Sequence, residues 1–204
     1  PPTPMQRVWI DGPMQNLYKF SETIPNVVPV RLAAWWFESS NFAQDKRTII
    51  MTSGLGYPGL GIPGNMAAAS MFLKHGFRVL LFDQANHGSS TKVDGRASTP
   101  ARESEDVKHV IHWLNLKGVT SQSIGITGQS GGAVTILKFL SDTEQMNSVA
   151  SVAFQSFGVT DFREFMAPAF QKFGVPLSVA DTIDDFMFTW LDFRWFSNFD
   201  VKAT

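Results

Sequence analysis

Ile124-Gly125-Ile126-Thr127-Gly128-Gln129-Ser130-Gly131-Gly132-Ala133-Val134-Thr135-Ile136-Leu137-Lys138-Phe139-Leu140 reads as a short buried strand, residues 124–127, that turns within five residues into a helix, residues 133–140. The connecting five have the form Gly-x-Ser-x-Gly. So abrupt a turn forces Ser130 into strained backbone geometry, with its hydroxyl exposed above the strand ends. Gly128 and Gly132 remove the Cβ atoms that would collide there. The helix behind the turn sets the Gly131 N–H where negative charge would develop on an attacked carbonyl oxygen. Ser130 is thus the candidate nucleophile and Gly131 a candidate oxyanion donor. The plainer reading is a glycine-rich turn with an incidental serine.

Outward from this stretch, strands and helices alternate. Residues 27–36 and 48–52 read as strands, the first partly alternating, the second wholly apolar and therefore buried. A Gly/Pro-rich stretch from Gly54 to Gly64 follows, and Asn65 is expected to cap a helix running to Gly76. Another buried strand spans residues 77–83. After a polar loop, Thr99 and Pro100 open a helix whose Val107, Val110, Ile111 and Leu114 share one face, with Gly118 stopping it. Residues 149–154 form a further buried strand. The order β, β, α, β, α, β, α, β with continuous apolar strands predicts the α/β class, a mostly parallel sheet with helices on both faces. Beyond Ser156 the composition turns aromatic: Phe162, Phe165, Phe170, Phe173, Phe186, Phe188, Trp190, Phe193, Trp195, Phe196 and Phe199 lie among Asp181, Asp184, Asp185 and Asp192. This reads as a helical segment, either packed on the core or acting as a lid over a substrate. The expected division is residues 1–160 for the core and 161–204 for the lid or cap.

The composition, 44% hydrophobic and 17% charged over 204 residues, is that of a globular domain with a sizeable core. Lys and Arg total 17 against 18 Asp and Glu, so no electrostatic footprint for nucleic acid is present. No apolar run approaches the ~20 residues of a spanning helix, and a soluble chain is expected. Without cysteine, disulfides, thiol catalysis and Cys-based zinc sites are excluded, while the compartment stays open. The first residue, Pro1, suggests that a leader was removed, giving a mature processed or secreted protein, or that the sequence starts inside a gene.

Residues 76–90, Gly-Phe-Arg-Val-Leu-Leu-Phe-Asp-Gln-Ala-Asn-His-Gly-Ser-Ser, together with the Ser130 stretch, resemble the α/β-hydrolase superfamily over most of residues 27–156. Asp83, His87, Gly88 and Ser90 match the family's strand ending in Asp and its His-Gly-x-Ser loop; Ala85 and Asn86 replace the usual Arg and Gly. Residues 106–133 are similar to the helix, strand and turn of dienelactone-hydrolase-like and prolyl-peptidase-like members. The resemblance implies a serine hydrolase that cleaves an ester or amide through an acyl-enzyme, without a cofactor or metal. It also implies that the second oxyanion donor comes from the loop after strand 48–52. There Ser53-Gly54 stands in place of His-Gly, and Leu55 supplies the N–H by position.

A serine needs a base, normally a His held by a carboxylate, and the family places both after the nucleophile. All four histidines, His75, His87, His109 and His112, precede Ser130. His109 and His112 are expected to be solvated, His75 to meet the last carbonyls of its helix, and His87 to be structural. Three accounts remain. In the favoured one this is the N-terminal part of a larger catalytic domain whose acid and His lie on a further segment or a second polypeptide. In the second the chain is an inactive relative that binds a small apolar ligand or a protein. The third uses other residues, with Asp161 as candidate acid, although Asp161 is read more simply as a helix cap before Phe162. A distant further reading takes Gly54-Leu55-Gly56-Tyr57-Pro58-Gly59 as a dinucleotide fingerprint, but Pro58, Gly61, Pro63 and Gly64 delay the helix that should meet the pyrophosphate.

Overall fold

The computed structural model describes residues 5–16, 27–38, 47–54, 63–92, 100–142, 145 and 147–155. These fall in the first of two units into which the chain divides, Pro1–Phe157. The aromatic segment 161–204, with its expected lid role, lies outside the described residues.

Wholly apolar strands need cover on both faces, and here they have it. Strands β1 (Met5–Asn16), β2 (Val27–Phe37), β3 (Thr48–Thr52), β4 (Arg78–Phe82), β5 (Ile124–Gln129) and β6 (Ser151–Gln155) form one sheet in the order β1-β2-β4-β3-β5-β6. The pairs β4/β3, β3/β5 and β5/β6 are parallel. Helices α1 (Pro63–Lys74), α2 (Pro100–Leu116) and α3 (Gly131–Ser141) connect them. Alternation along each strand sorts the side chains into two cores. Leu32, Ala34, Ile50, Leu80, Phe82 and Ile126 pack on Val107, Val110, Ile111 and Leu114 of α2 and on Ile136 and Phe139 of α3. On the other face Ala33, Trp35, Phe37, Met51, Val79 and Leu81 meet Ala69 and Leu73 of α1. The predicted apolar face of α2 is the observed one. Each of its four large side chains contributes about 1.5–3 kcal/mol by burial, so α2 is held far more firmly than α1.

The strand expected to be buried over residues 149–154 forms as β6, but with Ser151, Ala153 and Phe154 exposed, and two further elements differ from the sequence expectation. β1 is an added strand, antiparallel to β2, which is itself antiparallel to β4. Gly12-Pro13 inside β1 reads as a turn, but an edge strand tolerates Pro, and the register shifts between Asp11 and Met14 in a bulge. Trp9 obscures the alternation further: it lies on the face opposite Ile10, with the guanidinium groups of Arg7 and Arg31 4.9 and 5.1 Å from its ring. The second difference is at Asn65. α1 begins at Pro63, whose fixed φ suits a first helical position, and Asn65 falls within the first turn instead of capping it.

The polar loop after β4 folds back on β2. The Asp83 carboxylate accepts the Ser89 N–H at 2.7 Å, and Ser90 Oγ donates to Asp83 O at 2.5 Å while accepting the Ala33 N–H at 2.8 Å. A methyl group at Gly88 would overlap the Asp83 carboxylate, and the φ of 43° there favours glycine in any case. Asp83, Gly88 and Ser90 thus close a loop. Beneath it lies a buried polar cluster. Gln84 Nε2 and Thr135 Oγ1 donate to Glu103 Oε2 at 3.0 and 2.5 Å, tying the end of β4 to α2 and α3. Asp106 accepts the Ala85 N–H at 2.8 Å.

Burial pushes the Asp106 carboxyl well above the usual carboxylate range, against the Ala85 N–H and with the neighbouring carboxylates of Glu103 and Glu105 adding to the rise. The folded state therefore holds this proton more tightly than the unfolded chain does. Its stabilising contribution is full below about pH 4, the unfolded carboxylate range, and is lost as pH rises towards the folded value. The urea midpoint should accordingly fall in the wild type relative to Asp106→Asn as pH climbs from 4, the asparagine keeping the acceptor without the charge. Parallel pH profiles of the two proteins would contradict this assignment.

Candidate active site

The chain passes from β3 through α1 to β4 on one side of β3, and then through α2 to β5 on its other side. Loops leaving the carboxyl ends of β3 and β5 therefore diverge, and a crevice at such a switch point is where open α/β sheets bind ligands. Thr52 and Gly128 are register partners, so Ser53-Gly54 and Ser130 leave the sheet side by side.

Ser130 has φ 52° and ψ −120°, one of two non-glycine residues among those described with positive φ. Such a conformation costs on the order of 1–3 kcal/mol and persists only when its surroundings impose it. The surroundings are backbone. A Cβ at Gly128 would stand 2.6 Å from the Gly132 carbonyl carbon and 2.6 Å from Thr52 Oγ1; one at Gly132 would stand 2.7 Å from Ser53 O. The strand end, the turn and the first turn of α3 touch with no room for a side chain between them.

Ser130 is solvent-exposed and is the N-cap of α3, yet its side chain makes no capping hydrogen bond. A serine at this position commonly spends its hydroxyl on the N–H groups of the first turn. Here the hydroxyl stays outside. Gly131 and Gly132, the first residues of α3, present N–H groups that have no carbonyl one turn earlier in the helix. The positive end of the α3 dipole lies at the same place. On the β3 side, a Cβ at Gly54 would stand 3.4 Å from Ser130 Cβ and 3.8 Å from its Oγ. Leu55, the expected second donor, and Asp161, the candidate acid, lie outside the described residues.

No histidine among the described residues hydrogen-bonds Ser130. His87 is buried; its Nδ1 donates to Ala85 O at 3.0 Å, and its Nε2 stands 3.9 Å from Glu103 Oε1. This fits the structural part expected of it. His75 is exposed just after α1, at the end of the sheet away from Ser130, and its backbone N–H, not its ring, meets the last carbonyls, Met71 O and Phe72 O. His112 is exposed as expected. His109 is not simply solvated: it is half-buried, its Nδ1 bonding Asp11 O at 3.1 Å, because β1, absent from the sequence reading, packs beside α2. Among the described residues no group of three or more His, Asp or Glu side chains is placed to hold a metal, and no helix is long and apolar enough to cross a membrane.

Sequence reasoning missed one polar pair at this site. Asn65 Nδ2 donates to Ser53 Oγ at 3.1 Å, with both residues buried. A single sequence carries no signal for it beyond an asparagine near a helix start.

Because a Cβ at Gly132 would stand 2.6 Å from Thr52 Oγ1 and 2.7 Å from Ser53 O, Gly132→Ala should lower the denaturation midpoint by an amount equivalent to about 1–3 kcal/mol, the usual cost of overpacking. Gly64→Ala, at an exposed position of α1, should be neutral or slightly stabilising. Equal midpoints for the two variants would mean that the turn has room that the structure denies.

The sequence match and the solved relatives agree with this fold. The model of the X-Pro dipeptidyl-peptidase (S15 family) matches residues 22–176. No curated protein matches. Among solved structures, the esterase Pf2001 of Pyrococcus furiosus is similar at 25% identity and TM-score 0.52, over 70% of this chain and 48% of that one. A hypothetical protein of Pseudomonas aeruginosa is similar at 18% identity and TM-score 0.62, over 95% and 53% of the two chains. The α/β hydrolase GrgF of Penicillium sp. sh18 is similar at 18% identity and TM-score 0.55, over 81% and 52%. The chain thus spans about half the length of these solved relatives. With more than half of its residues matched, and with a mostly parallel sheet shared with solved α/β hydrolases, the chain belongs to the X-Pro dipeptidyl-peptidase (S15) family of the α/β-hydrolase superfamily.

Proposed function

We propose that this chain carries the nucleophile half of a serine hydrolase acting on an ester or amide with a hydrophobic group. The observation that carries the reading is Ser130 itself: exposed, held at positive φ, and with no capping bond at the head of α3. Ser130 Oγ attacks the carbonyl carbon and its proton passes to a base. The carbonyl oxygen becomes an oxyanion facing the Gly131 N–H and, in this reading, the Leu55 N–H. Collapse expels the protonated alcohol or amine and leaves an acyl-enzyme, which water then cleaves to the acid.

The base and its carboxylate come from outside this chain, on a further segment or a second polypeptide. Two facts support this: none of the described histidines hydrogen-bonds Ser130, His87 and His109 being bonded to Ala85 O and Asp11 O, and the chain spans about half the length of the solved relatives. Asp161 would be the acid only in the alternative in which this chain's own residues complete the site, and is read more simply as a helix cap. Residues 161–204 act as a lid whose aromatic side chains favour a hydrophobic acyl or leaving group. The matched family is described by a peptidase activity and the Pyrococcus relative as an esterase, so both bond types stay within the proposal.

The test is a fluorophosphonate probe on the whole protein that contains this chain, with intact masses recorded for every polypeptide present. One adduct should map to Ser130. Ser130→Ala should abolish it and lower kcat/KM on the order of 10^4-fold or more. Labelling of the wild type with none of the adduct on Ser130 would refute the assignment. No labelling at all would leave an inactive relative that binds an apolar ligand or a protein.

A further inference from the structure

The residues around Ser130 include a buried polar pair for which the reaction has no direct use. Asn65 is 3% exposed and Ser53 is 2% exposed. Burying two polar side chains costs free energy unless they satisfy each other, and removing one partner leaves the other's desolvation uncompensated. Purely apolar packing at this spot would serve stability as well. The position of the pair points to another role.

α1 is anchored unevenly. Its apolar contacts, Ala68, Ala69, Phe72 and Leu73, all lie from its sixth residue onward. Of residues 64–67 in its first half, Asn65 alone is buried. At the start of α1 the hydrogen bond from Asn65 Nδ2 to Ser53 Oγ ties the helix to the end of β3. Ser53 in turn sits between Thr52 and Gly54, and all three press on the Ser130 turn: Thr52 Oγ1 and Ser53 O against the Gly132 α-carbon, Gly54 against Ser130 Cβ. A displacement of the Ser53 backbone would carry its carbonyl oxygen into Gly132, in the first turn of the helix that Ser130 heads.

We infer that Asn65 is a positioning residue for the acyl-transfer site, holding Ser53 so that the chain leaves β3 in the direction that aims the loop's N–H at the oxyanion. The inference rests on the serine-hydrolase reading above. Asn65 does not touch the reacting atoms. It acts through Ser53 and Gly54 on the geometry in which charge develops, so its loss lowers kcat and leaves substrate binding nearly intact.

The experiment uses the whole protein and compares wild type, Asn65→Ala, Ser53→Ala and the double variant for kcat, KM and the second-order rate of fluorophosphonate labelling at Ser130. Misplacing an oxyanion donor by a fraction of its hydrogen-bond length costs on the order of 10–100-fold. Each single variant should lose about that factor in kcat and in labelling rate, with KM changed by less than about threefold. The double variant should lose no more than either single one, since both break the same bond. Ser53→Ala keeps the deciding comparison available if Asn65→Ala fails to fold. A single variant with wild-type kcat and labelling overturns the inference alone. So does a loss confined to KM, or a double variant whose losses multiply. A wild type that takes no label at Ser130 overturns the hydrolase reading, and this inference with it.

Discussion

The contact between the end of β3 and the Ser130 turn governs the rest of this structure. Thr52 and Ser53 meet Gly128 and Gly132 at distances that exclude even a methyl group, and Gly54 lies in van der Waals reach of Ser130. Backbone against backbone is stiff, because no side-chain rotamer is available to absorb a displacement. That stiffness explains how a serine stays at φ 52° against a cost of about 1–3 kcal/mol. It also explains why the glycines flank the serine at two residues on either side, where both the incoming strand and the outgoing helix pass the neighbouring strand end.

Holding such a contact requires that the sheet and its helices be fixed from both faces. On one side the α2 and α3 core contributes several fully buried large side chains. On the other, α1 supplies a lighter apolar contact and a polar tie at its first turn. The buried carboxylates of Glu103 and Asp106 add little through charge, since their environment disfavours the ionised form of Asp106. Their value is directional. Glu103 collects hydrogen bonds from Gln84 and Thr135, and so joins the end of β4 to α2 and to the helix that starts at Ser130. The loop motif Asp83, His87, Gly88, Ser90 belongs to the same scaffold, which is why a histidine in it is buried and structural.

Membership of a hydrolase family and the shared fold are consistent with a site of this kind, and the chain spans about half the length of the solved relatives. The described sheet ends at β6, and Ser130 stands at the end of the neighbouring β5. In this family's chain order, the groups that activate the nucleophile follow it.

Much of this was legible in the sequence because it is local. Apolar runs at residues 48–52 and 78–82 announce strands covered on both faces. The spacing of Val107, Val110, Ile111 and Leu114 announces the buried face of α2. The glycines around Ser130 announce a turn too tight for side chains. Three things were not legible. β1 hides behind Gly12-Pro13, which an edge strand tolerates through a bulge that only pairing with β2 defines. His109 gains a partner only because β1 lies beside α2. Asn65 carries the local chemistry of a cap, yet its side chain reaches Ser53, twelve residues back, because α1 packs its first turn on the end of β3. The sequence by itself determined which residues are strand, helix and turn, since propensity and periodicity act over a few residues. Which polar side chains meet was decided by tertiary structure, because a hydrogen bond between distant residues depends on how the elements are packed, and no local pattern encodes that.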